Sequence, residues 1–336
     1  MTATRDAIRS TAQFRPNLRR WCVAALCAIA FVPGPGVADV PPLPPPTAML
    51  DRGHPLVGQI VATGHRLTAR DLADRAAGSD YVLLGEKHDN PDHHALQAWV
   101  IDAIVAAGRR PAIAMEMLDA DQSQSLADYR KKPNADADGL GPALGWAARG
   151  WPDWSIYAPI AAAALRADLP ILPADLTRTA IRAVGRGGTD ALRPGLENEL
   201  QSSPRFDAAQ SQSLADELRA SHCGKLPDQA LPRMMEVQWS RDANMARTLR
   251  AAERPAVLIA GTGHIRNDRA VPWHLRATAP MQTILSVAFV EVQSGRNAPS
   301  DYGQAGLFDV LWFTARVEDE DPCAKFGESL QRMRQP

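Results

Sequence analysis

Cysteine is scarce in this 336-residue chain, with four in all at Cys22, Cys27, Cys223 and Cys323. None stands with histidine at the spacing of a structural zinc site, which argues against a zinc-scaffolded fold. The H-E-x-x-H signature of metalloproteases is missing, and so is the G-x-S-x-G elbow of serine hydrolases. The stretch "VLIAGTGH", 257–264, has two glycines after an apolar run but not the G-x-G-x-x-G that opens a helix in dinucleotide-binding folds. Positive charge is not in excess. The formal net charge is −1 and no basic stretch occurs, so nucleic acid is not an expected partner. No apolar run is long enough to span a bilayer comfortably, a task that takes about 20 residues. No internal repeat is visible.

Three N-terminal features together have the form of a secretory signal. Five arginines lie within residues 1–20, an apolar run "WCVAALCAIAFV" fills 21–32, and "PGPGVA" at 33–38 offers small residues for cleavage. We therefore expect 1–38 to be a signal peptide that is removed, a mature chain starting near Asp39, and a periplasmic location. Cys27 is preceded by leucine in a poor lipobox context, so no lipid anchor is expected. Sec and twin-arginine export are both compatible with "RRWCV". Removal takes Lys+Arg from 37 to 32 and Asp+Glu from 38 to 37, leaving a net charge of −5. It also leaves two cysteines, and in an oxidising compartment such a pair reads as one disulfide, Cys223–Cys323. The proline-rich segment 39–52 reads as a stiff linker.

From residue 53 onward, short runs of strand-forming residues alternate with helical patterns. "DYVLLGE", "RPAIAMEML", "RPAVLIAG", "MQTILSVAFVEVQ" and "FDVLWFTARV" are strand-like, and 90–108 and 230–253 are helical. Asn90 and Pro91 form an N-cap and first-turn signal. This rhythm predicts an α/β fold with a mainly parallel central sheet flanked by helices. Two stretches fit no strand, around 119–156 and 185–228. They are expected to form an additional helical layer over the carboxyl end of the strands.

Three strand-like runs end in the same residue types. "VLLGE" delivers Glu86 and then His88, "AIAME" delivers Glu116, and "VLIAGTGH" delivers His264 and then Arg266. Ligands of open parallel sheets bind at strand carboxyl ends, so these residues are expected to share one pocket. His93 and His94 fall in the first turn of a helix, where the macrodipole favours neutral imidazole. Arg241 and Asp242 follow on the long helix. Two histidines and two carboxylates suit either acid/base hydrolysis or a divalent transition metal, and spacing does not choose between them.

The pieces "LLGEKHDNPDHHALQ", "AIAMEML", "GWPDWSIYAPIAAAALRADLPILPADLTR", "HCGKLP", "VQWSRDANMARTL" and "LIAGTGHIRNDRAVPWHL" resemble the ChaN-like haem-binding proteins. That family sits in a wider group with the Tiki and TraB proteins and the erythromycin esterases. The resemblance runs over about residues 80–280 and makes 53–336 a single ChaN-like α/β domain. It implies haem as the cofactor, haem and iron uptake outside the cytoplasm, a tyrosine on the iron with a histidine nearby, a homodimer around the haem, and contact with outer-membrane uptake machinery. Tyr157 lies in a matching motif and is the tyrosine chosen. His93, His94 and Arg241 complete the expected cofactor set. The wider group implies instead a hydrolytic pocket of Glu86, His88, Glu116 and His264, with Arg266 as an anion partner. Asp175 in "ADLT" stands where the family pattern leads us to expect asparagine.

Overall fold

The computed structural model describes residues 39–192, 196–319 and 323–324. The expected signal peptide, 1–38, lies outside the described residues. Strands β1 (Ile60–Ala62) and β2 (His65–Leu67) form a small hairpin. Then come α1 (Ala69–Gly78), β3 (Tyr81–Glu86), α2 (Pro91–Ala106) and β4 (Ala112–Asp119). Helices α3 (Ser123–Arg130), α4 (Ala137–Ala143) and α5 (Trp154–Arg166) precede β5 (Ile171–Asp175). Four more helices follow, α6 (Arg178–Gly187), α7 (Leu196–Ser202), α8 (Ala208–Ser221) and α9 (Leu231–Ala251). The chain closes with β6 (Ala256–Gly261), α10 (Ala270–Thr278), β7 (Ile284–Glu291) and β8 (Val310–Thr314).

The sheet has eight strands in the order β2-β1-β8-β7-β3-β6-β4-β5. The six from β8 to β5 are parallel, and only β1 pairs antiparallel, with β2 and β8. Every residue of β3, β4 and β6 is buried. This explains their unbroken apolar runs, because a parallel sheet is covered on both faces. One face packs on α1, α2 and α5 through Leu72, Trp99, Ile101 and Ile160; the other packs on α9 and α10 through Met245, Leu249, Val271 and Leu275. From β3 the chain winds outward to β4 and β5, then returns through β6 and winds the other way to β7 and β8. The winding reverses at β3 and β6, whose last residues, Glu86 and Gly261, are register partners. A crevice at the carboxyl edge belongs at such a point.

Residues 39–52 are not a free linker. Asp92, in the first turn of α2, accepts from the Thr47 amide and hydroxyl at 2.6 Å and from the Ala48 amide at 3.1 Å. Trp99 donates to the Pro41 carbonyl at 2.9 Å, and Leu50 bridges to Arg316. Proline supplies the stiffness that the sequence suggested, but these bonds make the segment a strap across the domain. The hairpin β1–β2 was not anticipated either, since each strand has three residues and no alternation to reveal it.

Cys223 and Cys323 form a disulfide across 100 residues of sequence. Closing so long a loop removes freedom from the unfolded chain. Reduction is expected to cost about 2–4 kcal/mol of stability. Urea melts with and without reductant measure this. Equal midpoints, or two alkylatable thiols in unreduced protein, would defeat it.

Candidate functional site at the carboxyl edge of the sheet

Glu86 ends β3 and is buried. Its Oε1 accepts from His88 Nδ1 at 2.9 Å and from the Tyr157 hydroxyl at 3.0 Å. Its Oε2 lies 3.0 Å from His94 Nδ1. The other His94 nitrogen, Nε2, donates to the His88 carbonyl at 3.0 Å. Burial works to raise the Glu86 pKa, but the neighbouring His94 and His88 imidazoles hold it well below the usual carboxylate range.

His88 is the accessible member, with its side chain 36% exposed. With Nδ1 committed to Glu86, its Nε2 has no protein partner among the described residues and hangs over the Gly261 backbone. A Cβ at position 261 would stand 3.0 Å from that nitrogen and 3.6 Å from Glu116 Oε2, so glycine is what lets β6 run beneath the ring. Burial pulls the His88 pKa down. The Glu86 bond and the charges of Glu116 and Glu86 outweigh it and set the pKa above that of an ordinary histidine. Trp151 meets the ring edge-on, with 5.0 Å between centroids.

Beside this pair lies a second, closed cluster. Glu116 Oε2 accepts from the Gly261 amide at 2.7 Å, and Oε1 accepts from Arg241 Nη2 at 2.8 Å and lies 3.3 Å from His264 Nε2. His264 Nδ1 is 2.6 Å from Asp242 Oδ1. Arg241 also grips Asp175 with Nε and Nη2, at 2.7–3.1 Å. Burial opposes charge on His264, yet Glu116 and Asp242 on either side push its pKa up to about 10. The same histidine and Arg241 hold Glu116 well below its usual value against burial. Asp242 goes the other way, because burial outweighs the attraction of His264 and Arg241.

Four residues expected together do meet: Glu86, His88, Glu116 and His264. Arg266 does not join them. Its guanidinium is spent on Asp268 at 2.7 and 3.0 Å, with Ser213 and Glu217 nearby. Arg241 takes the cationic place instead. Asp175 and Asp242, not assigned roles from sequence, complete the cluster; an acid at the end of "PILPAD" and one beside Arg241 were the signals available.

Tyr157 must be corrected as an iron ligand. It is fully buried behind Glu86, donating to that carboxylate and within 3.2 Å of the His88 carbonyl. Burial, then the Glu86 charge, pushes its pKa far above that of an ordinary tyrosine, the opposite of what a tyrosinate needs. The remaining tyrosines, Tyr81, Tyr129 and Tyr302, are buried as well. His93 is corrected too. Its Nδ1 accepts from the Lys87 amide and its Nε2 bonds Thr314 Oγ1, both at 2.9 Å, so it ties α2 to β8 and keeps no nitrogen for a ligand. The divalent metal also lacks a place. Among the described residues no three His, Cys, Asp or Glu side chains are arranged to hold an ion, because their lone pairs are turned on Arg241, amides and one another.

Burial pushes two histidines, His93 and His274, down to about 3. The unfolded chain binds protons at these positions below pH ~6.5 and the folded one does not. Their contribution is therefore complete above pH ~6.5 and lost as pH falls toward 3. Each removes up to ~1.4 kcal/mol per pH unit. His264 has the opposite sign: its stabilisation is complete below pH ~6.5 and lost as pH rises toward about 10. Urea midpoints across pH should therefore peak near neutrality. In His274→Gln the acid limb should be shallower, and an unchanged limb would contradict the assignment.

A family model described as haem-binding uptake, Tiki superfamily, ChaN matches residues 72–275. The chain belongs to this family. Among solved structures, that of cofacial heme binding to ChaN of Campylobacter jejuni has a TM-score of 0.61 and 21% identity, covering 75% of this chain and 95% of that one. It shares the fold of this ChaN-family chain. The type III effector HopBA1 has a TM-score of 0.41 at 13% identity, covering 80% of this chain and 97% of its own. A mutant of the erythromycin esterase EreC in its open conformation has the same TM-score and identity, covering 76% and 95%. Those two likenesses are too loose to argue from. No curated protein matches the chain. The family's haem-binding character thus attaches to this ChaN-family domain through the match over 72–275.

Proposed function

We propose that this chain is an exported haem-binding protein of haem and iron uptake, with His88 presenting the iron ligand at the carboxyl edge of the sheet. The observation that carries the reading is the state of that imidazole. Nδ1 is held by the Glu86 carboxylate, and Nε2 has no protein partner among the described residues, on a side chain that is 36% exposed. A carboxylate behind a ligating histidine fixes its tautomer and raises its basicity, and an axial histidine suits haem iron. The residues present therefore fit the group, through histidine rather than tyrosine. Haem supplies an iron that takes an axial ligand and a broad apolar face, and Trp151 offers an apolar edge beside His88. Arg241 and Arg266 are committed to carboxylates and are not the propionate partners.

The family description supports the ligand class. The cofacial heme of the Campylobacter protein supports a further part of the reading, a homodimer of this chain around haem. The basic and apolar N-terminus supports export to the periplasm, where outer-membrane uptake machinery is the expected partner. The test is titration of purified protein with hemin, followed by absorption and by sedimentation. A saturable Soret shift with dimer formation is expected; no saturable shift would overturn the proposal.

A hydrolytic reading rests on the same side chains. His88 with a free Nε2, oriented by Glu86, is built as a general base. The neighbouring Arg241 and His264 are neutralised by Glu116, Asp175 and Asp242, so this reading rests on His88 and Glu86. Ester hydrolysis that disappears in Glu86→Gln would support this reading. Hydrolysis undiminished in that variant, or absent across a panel of esters and amides, would retire it.

A further inference from the structure

We propose that a second cavity, beyond the edge strand β5, binds a small oxyanion-bearing molecule anchored by Arg247. The cavity is about 460 Å³ and is lined by Pro173 and Asp175 of β5, Thr177 at the start of α6, and Asn244, Arg247 and Thr248 of α9. Arg247 is partly buried and oriented by a fixed chain of bonds. Its Nη2 donates to Asn244 Oδ1 at 3.2 Å, and the buried Asn244 donates from Nδ2 to the Ala174 carbonyl at 2.7 Å. What the guanidinium lacks is an anion. Its Nε is buried without a partner, and among the described residues no carboxylate pairs with it.

A buried donor left without a partner is costly, and on Arg247 that donor is the Nε of a cation with no counter-charge among the described residues. The nearby acids do not supply the counter-charge. Asp175 gives both oxygens to Arg241 and one also to the Leu176 amide, while Asp121 is exposed at the rim. Helix α6 begins at the same cavity, with Thr177 as N-cap and no acid in its first turn, so its positive end adds to the field of Arg247. The space is larger than one ion needs and carries hydroxyl and amide groups beside the cation. The matching ligand is a small polar molecule with a carboxylate or phosphate group. The inference does not depend on haem or on His88.

Isothermal titration with succinate and with inorganic phosphate tests it. Saturable binding of at least one probe is expected in the wild type and at least tenfold weaker binding in Arg247→Met, while Arg182→Met, at an exposed arginine of α6, binds normally. Binding of succinate alone assigns a carboxylate ligand, binding of phosphate alone a phosphate ester, and binding of both an unselective oxyanion site. Phenylglyoxal modification of the wild type, mapped by mass spectrometry, covers the case in which Arg247→Met does not fold. Saturating probe is expected to protect Arg247 and not Arg182. No binding of either probe, equal affinity in Arg247→Met, or unprotected Arg247 would overturn the proposal.

Discussion

Hemin titrated into His88→Ala is expected to give no saturable Soret shift, while Tyr157→Phe is expected to titrate like the wild type. The two variants separate the ligand inferred from geometry from the one inferred from family resemblance. His88 is the partly exposed imidazole at the sheet edge whose Nε2 has no protein partner among the described residues and whose Nδ1 is backed by a carboxylate. Removing it deletes the proposed ligand. Glu86→Gln leaves the ring but weakens its support and should lower affinity 10–100-fold, the usual effect of losing a partner behind a metal ligand. Tyr157 lies on the buried side of Glu86. Phenylalanine there keeps the ring contacts with His94 and Trp146 and removes one donor to the carboxylate. The iron environment should barely change. A Soret band altered by Tyr157→Phe and untouched by His88→Ala would reverse the assignment.

Arg241→Met is expected to lower stability by about 3–5 kcal/mol, the range seen when one partner of a buried ion pair is removed. Arg241 lies between Asp175 and Glu116, whose side chains are 9% and 2% exposed. With the guanidinium gone, both carboxylates face a low-dielectric interior, and Glu116 keeps only His264 and the Gly261 amide. The loss should therefore exceed that of an exposed pair such as Arg219–Asp216, which contributes at most about 1 kcal/mol. Adding Asp175→Asn to Arg241→Met should recover part of the loss, since it removes one of the two stranded charges. Urea unfolding of the four proteins of the cycle measures the coupling. A single-mutant cost below 1 kcal/mol, or no recovery in the double mutant, would show that solvent reaches this cluster.

Much of the site could be read from strand ends. Glu86 ends β3 and His264 follows β6, as their apolar runs suggested, whereas Glu116 lies inside β4, one residue past Met115 where the pairing with β6 stops. Their convergence comes from the insertion of β6 between β3 and β4, which makes the three strands neighbours. Arg266 and Arg241 were harder to rank. Arg266 sits two residues after His264, yet the chain turns after β6 and carries its guanidinium to Asp268. Arg241 is 125 positions from Glu116 and 23 from His264, but α9 packs against β4, β5 and β6 and delivers it to Glu116.

The sequence by itself determined the class of fold and the family: the alternation of apolar runs with helical patterns sets a parallel sheet, and the motifs between 80 and 280 set the kinship with ChaN. It also determined which cysteines pair, because only two remain once the N-terminal segment is set aside. Only the tertiary structure decided which polar groups are free. His93 and His94 are adjacent in sequence, but the Lys87 amide and Thr314 of β8 take both nitrogens of one while Glu86 and the His88 carbonyl flank the other. Tyr157 and His88 both contact Glu86, and burial alone separates a fully enclosed hydroxyl from a side chain that is 36% exposed. Availability depends on what packs around a side chain, and those neighbours come from strands and helices far away in sequence.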